Sequence, residues 1–142
     1  MIVSKLAAII DALKADATLQ GYLGGQFVYR AKRISASDTP CITVKDAGET
    51  SRKRTCYIVH KNRDNAATVT VDVWVNKNSE SFPSTGEDAD TIANRVDVVL
   101  LMTQITGTRA WEKVSSNPFF EDDTGLFHVA LRYSFEYSLT DS

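Results

Sequence analysis

Phe127-His128-Val129-Ala130-Leu131-Arg132-Tyr133-Ser134-Phe135-Glu136-Tyr137-Ser138-Leu139 alternates residue by residue. Its odd positions are large and apolar or aromatic, and its even positions are small, polar or charged. That strict period of two fits one long strand with one buried face. Wound as a helix, the same residues would scatter Phe127, Leu131 and Phe135 around the surface among Arg132 and Glu136. An earlier run, Thr68-Val69-Thr70-Val71-Asp72-Val73-Trp74-Val75, repeats the pattern, with valines on one face and Thr, Asp and Trp on the other. Each strand supplies an apolar face that another layer must cover.

The cover is legible from Glu87 to Thr103. Ala89, Ile92, Ala93, Val96, Val99, Leu100 and Thr103 follow the three-and-four spacing of a helix face, and Asp88, Asp90, Asn94, Arg95 and Asp97 fall elsewhere. Ser84 and Glu87 have capping-box spacing behind Pro83, the acids Glu87, Asp88 and Asp90 suit the positive end of the helix dipole, and Gly107 marks the stop. A first helix is predicted over Ser4 to Ala15, with Leu6, Ile9, Ile10 and Leu13 as its stripe and Ser4 as its cap; Asp16 to Gln20 adds a short turn before Gly21, Gly24 and Gly25. These elements predict an α+β fold in which two main helices pack a mixed, mostly antiparallel sheet.

The remaining strands are shorter. Phe27-Val28-Tyr29 reads as one, followed by a polar passage from Arg30 to Thr39 and a strand opening after Pro40. Cys41 to Lys45 and Thr55 to His60 read as a hairpin whose connection, Asp46 to Arg54, is long enough to project as an arm. Lys61 to Asn65 then joins that hairpin to the valine strand, and Asn76 to Ser84, with Phe82, crosses to the main helix. Thr108 to Val114 offers a further strand, and Ser115-Ser116-Asn117-Pro118 and Glu121-Asp122-Asp123-Thr124-Gly125 read as turns. The composition of the second turn predicts that Asp122 and Asp123 bond back to the backbone and that Gly125 takes a positive φ.

The 142 residues suit a single domain, residues 1–142, and the formal charge of -2 gives no general attraction to nucleic acid or an acidic membrane. Two cysteines do not make a disulfide framework. The apolar run from Leu6 to Ile10 is too short for a secretory leader, so the expected compartment is the cytoplasm in which the chain is made, with no membrane association.

Candidates for chemistry are few. Cys56 and His60 share a strand face, and Cys41 on the partner strand could approach them; a metal site would still need a fourth ligand or open position, and a Cys56-His60 catalytic pair lacks a third group. His128 alternates onto the polar face as a surface or interface histidine. Asp122 and Asp123 are a turn signature before they are an acid-base pair. Trp74, on the face of Asp72, calls for either a partner or a covering first helix. Arg52, Lys53 and Arg54, with Arg30, Lys32, Arg33, Lys61 and Arg63, form a basic group suited to non-specific phosphate contact, to a solvated loop, or to acidic surfaces of neighbouring copies such as Glu87, Asp88 and Asp90. No phosphate-cradling glycine loop is present, since Gly21, Gly24 and Gly25 lack its spacing and following Lys-Ser or Lys-Thr.

In its order of elements the chain resembles the tail terminator proteins of long-tailed bacteriophages, the lambda-like minor tail proteins and related tail-completion proteins. The resemblance is sharpest in Asp122-Asp123-Thr124-Gly125-Leu126-Phe127, which runs into a terminal strand with Leu131, Tyr133 and Tyr137 at corresponding places. It extends through Asn65 to Val75 as a central strand, the polar loop containing Pro83, the acidic-start helix, the first helix and the strand opening at Pro40; residues 30–39 and Arg52 to Arg54 depart from the pattern. The resemblance implies a virion protein, assembled in the host cytoplasm, with no catalysis and no cofactor. It implies a hexameric ring at the head-proximal end of the tail tube that stops tube growth, meets the tube protein on one side and a head completion or connector protein on the other, and lets DNA pass without reading it. Head-tail joining proteins and tube proteins are the related alternatives. A non-specific nucleic-acid-binding module and a small ligand-binding or enzymatic α+β domain are the alternatives of other classes.

Overall fold

The computed structural model describes residues 2–53, 63–76, 85–121 and 125–138. In chain order the elements are α1 (Ile2–Ala15), α2 (Ala17–Leu23), β1 (Val28–Arg30), a 3-10 turn (Ala36–Asp38), β2 (Cys41–Lys53), β3 (Arg63–Asn76), α3 (Thr85–Met102), β4 (Arg109–Glu121) and β5 (Leu126–Ser138). The strands form one five-stranded sheet in the order β1-β2-β3-β5-β4. Only β1 and β2 run parallel; the other neighbours are antiparallel. The fold is therefore α+β, with a mixed and mostly antiparallel sheet.

The two alternating runs are adjacent and in register, with Val69 opposite Tyr133, Val71 opposite Leu131 and Val73 opposite Val129. Ile42 and Val44 of β2 extend the same face beyond Val73 and Val71. These residues share one buried cluster with Ile92, Val96, Val99 and Leu100 of α3, Leu6, Ile9, Ile10 and Leu13 of α1, and Leu19 and Leu23 of α2. α3 lies over β3 and β5, and α1 lies over β1 and β2, so the helices cover this one face.

Two polar ties hold the helix layer in place. Asp16 caps α2 by accepting the Leu19 N–H at 3.0 Å, and the same carboxylate takes two N–H donors from Arg95 of α3, at 2.9 and 2.7 Å. The Arg95 hydrogen bonds beside it hold the Asp16 carboxyl below the usual carboxylate range. The second tie starts inside the core: the Tyr133 hydroxyl donates to Asp97 of α3, whose other oxygen accepts from Lys113 of β4 at 2.8 Å. Burial pushes the Tyr133 phenol well above its ordinary value, so it stays a neutral donor.

The structure corrects four expectations. α1 already includes Ser4, and α3 runs from Thr85 to Met102, within two residues of the expected Glu87 to Thr103, the ordinary looseness of helix ends; Gly107 does not stop the helix but stands beyond it, at φ 77°, in the turn before β4. Asp46 to Lys53 is the second half of β2, and the strand returning beside Cys41 to Lys45 is Thr70 to Trp74 of β3. A polar segment becomes strand here because backbone pairing with β3 organises it, across a bulge where Asp46 accepts the Gly48 N–H at 2.7 Å. Ser115 to Pro118 is likewise no turn. β4 continues through it to Glu121, and Pro118 is tolerated because β4 is an edge strand. Thr55 to His60, Pro83, Ser84, Asp122 and Asp123 lie outside the described residues.

Three outcomes test this layering. Val96→Asp places a charge in the α3–sheet layer and should cost more than about 4 kcal/mol, leaving little folded protein by circular dichroism. Gly125 has φ 72° and donates its N–H to the Glu121 carbonyl at 3.0 Å, so Gly125→Ala should cost about 1 kcal/mol or more in chemical denaturation. For the Asp16–Arg95 pair, the folded pKa of Asp16 is depressed, so its contribution is present above the unfolded value of about 3.9 and is lost as pH falls through the folded one. The difference in melting temperature between the wild type and Arg95→Leu should be constant above about pH 5 and shrink on acidification below about pH 4.

Candidate interaction face

The second face of the sheet carries a row of rings. Phe119 of β4 lies opposite His128 of β5, His128 opposite Trp74 of β3, and Trp74 opposite Cys41 of β2, all at one level of the ladder. The His128 ring stacks on Trp74 at 4.1 Å between centroids, with planes 5° apart, and on Phe119 at 5.0 Å. Such pairs contribute about 0.5–1.5 kcal/mol each beyond their burial. The Trp74 indole N–H donates to Thr43 Oγ1 at 3.0 Å. Tyr29, Ile34, Cys41 and Leu126 pack beside Trp74 in a small second cluster to which no α-helix contributes.

Charges frame this row. His128 Nδ1 is 3.4 Å from Asp72 Oδ1 and its Nε2 is 3.9 Å from Glu121 Oε1; Asp72 Oδ2 is 3.9 Å from Lys45 Nζ. Asp72 is only 4 % exposed, nearly as buried as the valines beside it. Asp72 is thus an internal anchor for His128 rather than an exposed contact. Trp74 is stacked and hydrogen-bonded by its cross-strand neighbours; the first helix, placed over it as one alternative by its sequence, lies on the other face. His128 is mostly enclosed instead of standing on the surface. Its alternation with apolar neighbours put it on the correct face, but nothing in the local pattern announced its stack with rings from two other strands.

A histidine and an aspartate in contact do not make a reactive centre here, because rings flank the imidazole and no nucleophile reaches it among the described residues. Cys41, the one cysteine described, is fully buried, and burial pushes its thiol up to about 12, the opposite of an activated thiolate. No group of three His, Cys, Asp or Glu able to hold a metal ion occurs among the described residues, and no helix there is long and apolar enough to cross a membrane. What the face does offer is contact area. At its β4 edge Phe119 is 49 % exposed, and the next residue, Phe120, is 45 % exposed on the opposite face of the same strand end.

The charged candidates sit apart from this row. Arg52 and Lys53 end β2, and Lys53 is opposite Arg63 at the far end of the ladder from the Cys41–Trp74 pair. Arg54 and Lys61 lie outside the described residues. Glu87 and Asp88 occupy the first turn of α3 and Asp90 is exposed just beyond it. Because α3 is entered after Asn76 and left toward Arg109, its acidic start lies at the Trp74 end of the sheet and the basic strand ends lie at the other. A strand the length of β5 spans roughly 40 Å, so the two charged groups do not meet within one copy.

Comparison with known proteins assigns this architecture. The search of curated proteins finds no match. A solved chain described as "Virion of native gene transfer agent (GTA) particle" is similar with a TM-score of 0.62 and 14 % identity, over 94 % of this chain and 93 % of that chain, a likeness of fold alone. The family model of the tail completion protein gp17 matches residues 7–138, from the core stripe of α1 to the end of β5. The chain accordingly belongs to the tail completion protein gp17 family, which makes it a structural, non-enzymatic protein of viral tail assembly.

Proposed function

We propose that this chain is a single domain that closes the head-proximal end of the tail tube as a hexameric ring, stopping further addition of tube subunits and presenting the surface to which the head is joined. The observation that carries this reading is the family match along residues 7–138. The similarity of its fold to a chain of a gene transfer agent virion supports it.

The distribution of charge supports a division of labour in such a ring. With the strands set along the ring axis, the hairpin end carrying Arg52, Lys53 and Arg63 and the opposite end carrying Glu87, Asp88 and Asp90 are the two axial surfaces. One meets the tube protein and the other the head completion or connector protein. Passing DNA meets the basic groups of the hairpin end without base readout. Neighbours related by rotation about that axis do not bring the basic end of one copy to the acidic end of the next. In that orientation the basic end serves an axial partner.

Deleting expression of this chain during particle assembly and imaging the products tests the role. The expected result is overlong or unjoined tails together with unattached full heads. Normal tails on heads would overturn it, and complete absence of tube would assign a tube subunit or an early initiator instead.

A further inference from the structure

A strand at the rim of a sheet presents a row of backbone donors and acceptors that another chain can extend. β4 is such a strand. It is 13 residues long, closes the sheet on one side, and has no strand outside it among the described residues. Laid out by register, however, it offers no uninterrupted template. Arg109 pairs with Glu136 and Glu112 with Ser134, so Ala110 and Trp111 stand together against Phe135. Lys113 pairs with Tyr133 and Ser115 with Arg132, so Val114 is left without an opposite residue on β5. Each extra residue bends the strand and breaks the spacing of its outward groups. From Ser115 to Glu121 the pairing is regular, and at the midpoint of that run stands Pro118. A proline in an edge strand turns its donorless nitrogen to the outside.

The first of these interruptions is held in place. Ala110 has φ 55°, in the left-handed region that residues with a Cβ avoid. Trp111 keeps it there. The indole stacks on Phe135 at 4.5 Å between centroids and donates its N–H to Thr108 Oγ1 at 2.8 Å, and that hydroxyl donates in turn to the Ile105 carbonyl at 2.7 Å. A bulge maintained against the preference of its own backbone is a built feature. The opposite edge reaches the same end by shortness: β1 is three residues long, so a further strand laid along it gains little.

We propose that both edges of the sheet are closed to strand addition, so that a neighbour, a second copy included, meets this domain through side chains and never as a further strand, and that the two bulges and Pro118 are what close the β4 edge. The test reopens that edge in the full-length chain. Deleting Val114 leaves every pair of β4 with β5 as it is and makes Glu112 to Glu121 one regular run, and Pro118→Val restores the missing donor. The double variant should keep the wild-type circular dichroism spectrum and a cooperative melt. In light scattering it should form species larger than the wild type at the same concentration, in a share that rises with concentration. Hydrogen exchange should place the new protection in β4, slowing it there roughly tenfold or more. A folded variant that stays at the wild-type size, or one that associates while β4 exchanges as before, would overturn the closed edge. Should the deletion prevent folding, Pro118→Val alone decides: it should associate in the same way to a smaller extent, and association unchanged from the wild type would overturn the proposal.

Discussion

The pairing of β3 with β5 is the constraint on which the rest of the molecule depends. Because side chains alternate strictly, the register that sets Val71 against Leu131 also sets Asp72 against Ala130 and Trp74 against His128. One choice therefore decides both faces. A slip of a single residue would turn Tyr133, Phe135 and Tyr137 away from α3, and would at the same time separate Trp74 from His128. The burial of valines, tyrosines and leucines on the helix side, each worth roughly 1.5–3 kcal/mol when complete, holds that register. The ring stack on the other side is set by it.

The two faces solve different problems. The helix side is sealed by apolar packing and pinned by two charged ties, Asp16 to Arg95 and Tyr133 through Asp97 to Lys113. Both ties anchor α3, the helix that lies over the two central strands, so α3 cannot slide without breaking hydrogen-bonded charges. The other side has Asp72 buried with its polar neighbours Thr43 and Thr70 and roofed by rings instead of a helix layer. A face built this way keeps its apolar atoms near the surface at the β4 edge, where a binding partner rather than a layer of the same chain can cover them.

Alternation made β3 and β5 legible in the sequence, and helical spacing made α1 and α3 legible, because in those elements one whole face is buried. The signal fails where burial is not what builds the strand. The second half of β2, from Asp46, has no apolar face, and only its ladder with β3 makes it a strand; a reading based on hydrophobic pattern ends it at Lys45. β4 is mostly exposed on both sides, so Ser115-Ser116-Asn117-Pro118 carried turn chemistry with no burial pattern to oppose it. The candidate site was legible only in part for the same reason. Trp74 and Gly125 each announce a local need, a cover and a positive φ, whereas the row from Phe119 to Cys41 exists only once four strands are in register.

Family membership and fold likeness carry different weight in assigning a role to such a chain. A structure 14 % identical over nearly the full length preserves layers and topology while most side chains differ. Such a likeness is one of overall architecture, which any sequence with the same alternation and helical spacing can satisfy. Strand ends and sheet edges are the places where the backbone puts few limits on the side chain, so that function can be grafted there without changing the layers. Phe119 and Phe120 stand exposed on one such edge, β4. Core substitutions therefore act on whether the layers form, whereas substitutions at an exposed edge leave the layers standing.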